Sequence, residues 1–432
     1  MNAAIRESAP GVETSPPIRL PLWQVVAVGA GNALEFYDFL TFSFFAIQIG
    51  HTFFPASATS HGLLFSLATF GAGFLTRPLG GLIIGAYSDR AGRKPAMMLS
   101  FVLMGGAMVG LALTPSYAQI GLSAPLLLLA FRLVQGFALG GQVGPSTAFL
   151  IEAAPPMRRG LYVGLQYGTQ DLAVLVAGIV GFTLSNLLAP AALDAWGWRV
   201  AFLLGATIVP LGLVLRRGLP ETLEQGVSRT ASARAPRPPL RILVLGLFML
   251  ANTGISNYVL EYMTTYAQDS LHMAVNTAFG LTIVLGLFMM VSEVLGGMLT
   301  DRVGRKPVMV TAASLMMLLV IPAYVVMTRS PNVLVIFAVM AVLAVFNGFF
   351  STPALVAVTE GLPKAVRSGA LGTLYAVAMA TFGGSTQAVI KWLIDVTRSP
   401  LAPAWYLAGA TAVGLVAMVL TRETAPIKTG WI

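Results

Sequence analysis

The sequence contains no cysteine in 432 residues. Disulfides, thiolate nucleophiles and cysteine-ligated metals are therefore excluded. Histidine is nearly as scarce. His51, His61 and His272 all fall in expected outer loops, so no histidine relay crosses the apolar interior. Charge is sparse too, at 10% of residues against 56% hydrophobic. A water-soluble domain of that composition would lack the polar surface to cover itself. There is no phosphate-cradling P-loop, no metal-ligand cluster and no Ser/His/Asp set, so nothing suggests ATP drive or an enzyme. A net charge of +9 would suggest nucleic acid in a soluble protein. Here the distribution of that charge matters more, and no nucleic-acid partner is expected.

What the chain has is long apolar runs. Helices are expected near 22–50, 62–88, 95–114, 124–153, 161–189 and 198–217, then 241–268, 275–300, 307–328, 332–360, 367–396 and 403–422. Most exceed the roughly 20 residues needed to cross hydrocarbon, which leaves room for tilt. The expected fold is an all-α membrane protein with twelve transmembrane helices in two six-helix bundles, 22–217 and 241–422. Residues 1–21 read as a polar tail without a signal-peptide pattern, so the first run is expected to stay in the membrane. A linker, 218–240, rich in Pro, Arg, Ser and Ala, joins the bundles, and 423–432 forms a second tail.

One short stretch occurs twice. Asp89, Arg90, Gly92, Arg93, Lys94 and Pro95 are repeated as Asp301, Arg302, Gly304, Arg305, Lys306 and Pro307. A tight cationic turn between apolar runs reads as a cytoplasmic loop, and its recurrence reads as internal duplication. Asp89, Arg90, Arg93, Asp301, Arg302 and Arg305 are the expected gating residues, through ion pairs with neighbouring helix ends. A second echo matches Glu152 to Pro155, followed by Arg158, with Glu360 to Pro363, followed by Arg367. Twenty of the 26 lysines and arginines fall on one side of the expected topology and three on the other. That places both termini in the cytoplasm.

This order resembles the major facilitator superfamily over essentially the whole chain, and the repeated loop matches its hallmark motif. The resemblance implies two bundles rocking about a central cavity. It also implies that helices one, four, seven and ten line the cavity, with two, five, eight and eleven beside them.

Polar residues inside hydrocarbon are costly and therefore informative. Asn32, Glu35 and Asp38 recur at intervals of three on one face of the first helix. Carboxylates that close do not both ionise easily, so Asp38 and Glu35 are candidate proton carriers. Fixation by ion pairing or helix packing is the other reading. Arg77 requires an acid or a substrate anion; a permanent pair with Asp38 or a bound carboxylate would each serve. Arg132, Gln135, Leu139 and Gln142 form one stripe on the fourth helix, where glycines also permit close packing. The planar fork of Arg132 suits a carboxylate, which makes it the expected anion anchor. Gln170 and Asp171 lie on the fifth helix, and Asn257, Tyr258 and Glu261 on the seventh. Asn347 and Lys391 are further substrate candidates, although Lys391 also suits a snorkelling pair with Asp395. Asp171 and Glu261 join the proton-coupling candidates. Glu293, eight residues before Asp301, reads as part of the gate.

The runs Gly31 to Phe39, Gly71 to Pro78 and Arg132 to Gly136 resemble the metabolite:proton symporter branch. His51 to Ala56, Pro115 to Tyr117 and Trp196 to Arg199 are similar to its citrate and tricarballylate proton symporters. The resemblance implies proton-coupled uptake of a di- or tricarboxylate across a cell inner membrane by alternating access. It implies no cofactor beyond the coupling proton; the expected partners are a small organic anion, protons and the lipid bilayer, with the chain a monomer. Asp38, Arg77, Arg132, Gln135 and Gln170 match the family pattern. Gln142 departs from it, and Asp171 and Glu261 are acids where citrate-like carriers have uncharged residues. Those two acids motivate a zwitterionic or cationic substrate, such as a betaine, as the alternative. A non-transporting sensor on the same body is a third reading.

Overall fold

The computed structural model describes residues 33, 36–37, 39–55, 59–91, 93–140, 147–148, 150–152, 154–217, 238–329 and 332–430. Its first half holds α1 (Ala46–Phe53), α2 (Thr59–Ala72), α3 (Arg77–Ala91), α4 (Arg93–Leu113), α5 (Ser123–Leu139), α6 (Arg159–Leu187) and α7 (Trp198–Arg217). The second holds α8 (Leu240–Asp269), α9 (Val275–Val303), α10 (Arg305–Arg329), α11 (Val333–Gly361), α12 (Arg367–Ala378), α13 (Thr386–Thr397), α14 (Ala402–Leu420) and a short α15 (Pro426–Thr429). Helical residues 39–44 extend α1 backwards, and residues 147–148 and 150–152 are helical within the expected fourth span. α2 with α3, and α12 with α13, each make one interrupted span. Twelve spans result, six in each half, close to the expected bounds. Most of the expected linker, 218–237, lies outside the described residues.

Leu82, Leu113, Leu126, Leu318 and Val416 expose more than half of their surface. In water such a surface would drive aggregation; in hydrocarbon it is the solvated face. Polar residues gather inside instead, among them Arg77, Arg132, Asp171, Glu261 and Glu293.

Within each half neighbouring helices pack as a bundle: α4 against α5 and α7, α8 against α14, α10 against α11 and α14. The halves meet along two seams. In one, α6 runs antiparallel to α9 with glycines on both sides. A Cβ on Gly160 would strike the Gly297 carbonyl, and one on Gly297 the Gly160 carbonyl. Higher up, one on Gly164 would strike the Glu293 backbone, and one on Gly286 that of Asp171 and Leu175. Small residues let the two backbones touch where larger ones would hold them apart. The second seam brings α2 to α13 and α3 to α12, with Gly71 against the Gly384 carbonyl. Both interrupted spans break near that contact. A turn at residues 73–76 separates α2 from α3, and a π-helical turn, Met379–Gly383, separates α12 from α13.

The repeated loop is described in its second copy. Gly304, at φ +117°, ends α9 in a conformation that side chains rarely adopt. The Glu423 carboxylate then accepts from the backbone N–H groups of Arg305 and Lys306 at 2.9 and 3.0 Å, satisfying donors at the start of α10.

Candidate functional site

Between the halves lies a cavity of about 20 Å³, room for water but not for a tricarboxylate. α6 contributes Tyr167, Gln170, Asp171 and Val174, and α8 contributes Thr253, Gly254, Asn257, Tyr258 and Glu261. Each set recurs at three and four residues, one stripe per helix. Phe36 and Leu40 from the first span, with Tyr375 and Met379 from the eleventh, complete the wall.

Among the described residues, then, spans one, five, seven and eleven form the wall, and spans four and ten do not. This corrects the expected lining, and the packing explains it. A Cβ on Gly136 would meet the Gly73 carbonyl, and one on Gly140 the Arg77 carbonyl, so α5 is pressed flat on the second span. Arg132 consequently points into a ring cluster. Its guanidinium carbon sits 4.3 Å from the Phe39 ring centre, 4.5 Å from Phe42 and 5.1 Å from Phe70. Its Nη1 donates to Gln135 at 2.7 Å. Arg132 and Gln135 are fully buried and do not reach the cavity. Gln142 lies outside the described residues, as do Asp38 and Glu35.

Arg77 is placed differently. Its guanidinium carbon lies 4.5 Å from the Phe39 ring centre and 4.0 Å from Phe74, and its charge acts on the hydroxyl of Tyr258 on the cavity wall. Nε and Nη2 are buried and have no hydrogen-bond partner among the described residues. Glu261, one turn from Tyr258, feels this charge and also has an oxygen without a partner. The arrangement is therefore a cation with spare donors beside a polar wall that carries two acids and three tyrosines.

Asn347 stands one step behind the wall, donating to Asn257 Oδ1 at 2.5 Å. Lys391 is not at the cavity. It pairs with Asp395, as its spacing suggests, and also with Asp269, at 2.9 Å each.

Contacts between the halves flank the cavity on both sides. On the side away from the repeated loops, Ser43 and Gln387 exchange hydrogen bonds of 2.7–2.8 Å across the halves. The Phe45 and Phe279 rings meet at 4.9 Å, and Asn276 donates to Asn186 at 3.1 Å. At the loop end, Asp301 accepts from the backbone N–H groups of Gly160 and Leu161 at 2.8 and 2.9 Å, capping α6 from the other half. Arg305 binds Asp301 at 2.6 Å and Glu360 at 3.2 Å. Glu360 also pairs with Arg159 at 3.4 Å, while Glu152 pairs with Arg367 at 3.5 Å. Each half thus gives a glutamate to the other half's arginine, and the true counterpart of Arg367 is Arg159, not Arg158. Arg302 is exposed, and the side chains of Asp89, Arg90 and Arg93 lie outside the description. Sequence reasoning missed Tyr375 and Glu423 as site or gate residues.

Known proteins bear on this architecture. Residues 28–295 match the family model described as Major Facilitator Superfamily, and 223–427 match one described as Sugar (and other) transporter. The chain is 35% identical to a citrate-proton symporter of Klebsiella pneumoniae over 91% of this chain and 90% of that protein. It is 34% identical to an alpha-ketoglutarate permease of Escherichia coli over 95% and 96%, and 31% identical to a proline/betaine transporter of that species over 94% and 84%. A crystal structure of a D-xylose-proton symporter superposes with a TM-score of 0.76 at 19% identity, covering 95% of this chain and 99% of that one. With its twelve spans, its paired halves and an enclosed polar cavity between them, the chain belongs to the Major Facilitator Superfamily and is a multi-pass membrane transporter, not an enzyme.

Proposed function

We propose that the protein is a proton-coupled symporter that carries a small organic anion, a di- or tricarboxylate, inward by alternating access. The observation that carries this reading is Arg77. Its guanidinium is buried, held from behind by two phenyl rings, and among the described residues its Nε and Nη2 groups beside the Tyr258 hydroxyl have no partner. A buried cation with unused donors is expensive unless an anion visits it, and the planar fork fits a carboxylate. The relatives named for citrate and alpha-ketoglutarate support that ligand class. Gln170, Asn257 and Tyr258 would take the remaining oxygens once the cavity widens. Asp171 and Glu261, with Asp38 and Glu35 on the first span, are the carboxyl groups available for the proton. The repeated loops and their ion pairs would gate the cytoplasmic end. The lysine and arginine count supports cytoplasmic termini and an inner membrane, and one chain encloses a complete cavity, which suits a monomer.

One observation favours a second reading. Asp171 and Glu261 face the cavity together with the rings of Tyr167, Tyr258 and Tyr375, a lining suited to a quaternary ammonium group. A betaine-like zwitterion would put its carboxylate on Arg77 and its cation among those groups, and a proline/betaine transporter is among the relatives. Proteoliposomes under an inward proton gradient, offered citrate, tricarballylate, aconitate, 2-oxoglutarate, succinate, lactate and betaine separately, test the two. Accumulation of a di- or tricarboxylate is the expected result. Accumulation of betaine alone would move the assignment to the zwitterion, and binding without accumulation would make the protein a sensor.

A further inference from the structure

We propose that the coupling proton is held by a carboxyl pair, Asp171 and Glu293, that bridges the two halves inside the α6–α9 seam. The inference rests on the symporter reading above and identifies where in that cycle the proton sits. Glycine contacts bring the α6 and α9 backbones together at Gly164, Gly168 and Gly286. Helical side chains lean toward the start of their own helix. Because α6 and α9 run in opposite directions, Asp171 and Glu293 lean toward each other. Their carboxyl groups face each other across the seam. Both residues are buried, at 6% and 1% exposure.

A carboxylate has no proton to donate, so two carboxyls bond to each other only when one is protonated. One proton shared between them would make that bond in the closed seam. The second Glu293 oxygen, Oε2, has no hydrogen-bond partner among the described residues, and a full negative charge there would be poorly solvated. The groups facing the pair do not neutralise it. α6 adds Tyr167, α8 adds Glu261, and α12 adds Tyr375. α11 meets Glu293 through Thr352, which donates to its backbone carbonyl at 3.3 Å, and through Gly348. None of these is a cation. Arg77 acts on Glu261, Tyr258 and Tyr375.

Asp171 also lines the substrate cavity, so one member of the pair meets whatever water enters there. With both groups ionised, like charges would push α6 and α9 apart. Protonation from water on the outer side lets the seam close. When the halves separate toward the inner side, the shared bond is lost and the proton passes to inner water. One O–H bond forms and one breaks per cycle.

The test uses the purified, reconstituted full-length protein with citrate, or 2-oxoglutarate if citrate is not transported. A glutamine at position 293 donates permanently to Asp171 and imitates the protonated pair without a proton to release. Glu293→Gln should therefore retain substrate counterflow, while accumulation under an inward proton gradient falls to unity. Glu293→Asp, which keeps a carboxyl, should recover part of that accumulation. Full gradient-driven accumulation by Glu293→Gln would overturn the assignment. So would loss of counterflow and accumulation together in a monodisperse protein, because that is the signature of a packing role. Asp171→Asn, read in the same way, is the second variant if the first fails to fold. Parent protein that ignores the proton gradient would instead sink the symporter reading, which keeps the two failures apart.

Discussion

Two arginines, Arg77 and Arg132, show how far one side chain's surroundings decide its work. Both are buried in the first half and both lie against phenyl rings. Arg132 spends its Nη1 on Gln135, within its own helix, and is enclosed by three rings. Arg77 keeps two donors free next to Tyr258. Arg77→Gln is therefore expected to weaken carboxylate binding. Each lost charge-assisted hydrogen bond is worth roughly 1.5–3 kcal/mol, or about ten- to hundredfold in affinity. Arg132→Gln should instead lower the thermal midpoint while the purified protein still binds. Calorimetric titration and a melting curve on each variant separate the roles; affinity lost at Arg132 and kept at Arg77 would exchange them. The sequence showed that both arginines were buried in membrane and needed partners. It could not show which way α5 was turned, because the glycines on that helix fit a lining face and a packing face equally well. Glu293 shows a related gap. Its closeness to Asp301 in the chain is visible, whereas Asp171, its actual neighbour, comes from the other half.

The helix pair α6 and α9 is the element on which the closed state depends. Two backbones in contact leave no space for a methyl group at Gly160, Gly164 or Gly297. Gly297→Ala should wedge the loop end of the seam apart and weaken the caps that Asp301 places on Gly160 and Leu161. Since the chain has no cysteine, one introduced as Val174→Cys reports on the cavity by itself. Maleimide should reach it faster from the loop side in the Gly297→Ala background. Equal labelling rates would mean that the seam yields elsewhere. The span boundaries themselves were well predicted: α9 was expected at 275–300 and runs to Val303, and α11 was expected at 332–360 and runs from Val333 to Gly361. Apolar length is written plainly in a membrane sequence. Interruptions are not, and the breaks in the second and eleventh spans went unforeseen because their residues remain apolar.

At the scale of the molecule, the duplication is used reciprocally. Glu152 reaches Arg367, and Glu360 reaches Arg159. Reversing one charge, as in Glu152→Arg, sets like charges against each other at the loop end and should slow gradient-driven uptake. The exchanged double variant, Glu152→Arg with Arg367→Glu, should recover much of the rate. Glu152 is about half exposed, so the coupling will be modest. A double variant as slow as either single would show that the pair does not bear on transport. The echo between the halves was legible, and equal spacing from Glu152 to Arg159 and from Glu360 to Arg367 already pairs those arginines in the sequence; the structure adds that Arg159 reaches Glu360 across the halves.

The interrupted spans carry a mechanical consequence. A straight helix transmits a tilt from one end to the other, so opening one mouth of the cavity would loosen the other at the same moment. The turn at 73–76 and the π-helical turn at Met379–Gly383 make the second and eleventh spans jointed rods, and the joints meet where Gly71 touches Gly384. On the symporter reading, each mouth would then shut before its opposite unlocks, and the ion gradient that drives the carrier would not drain through it.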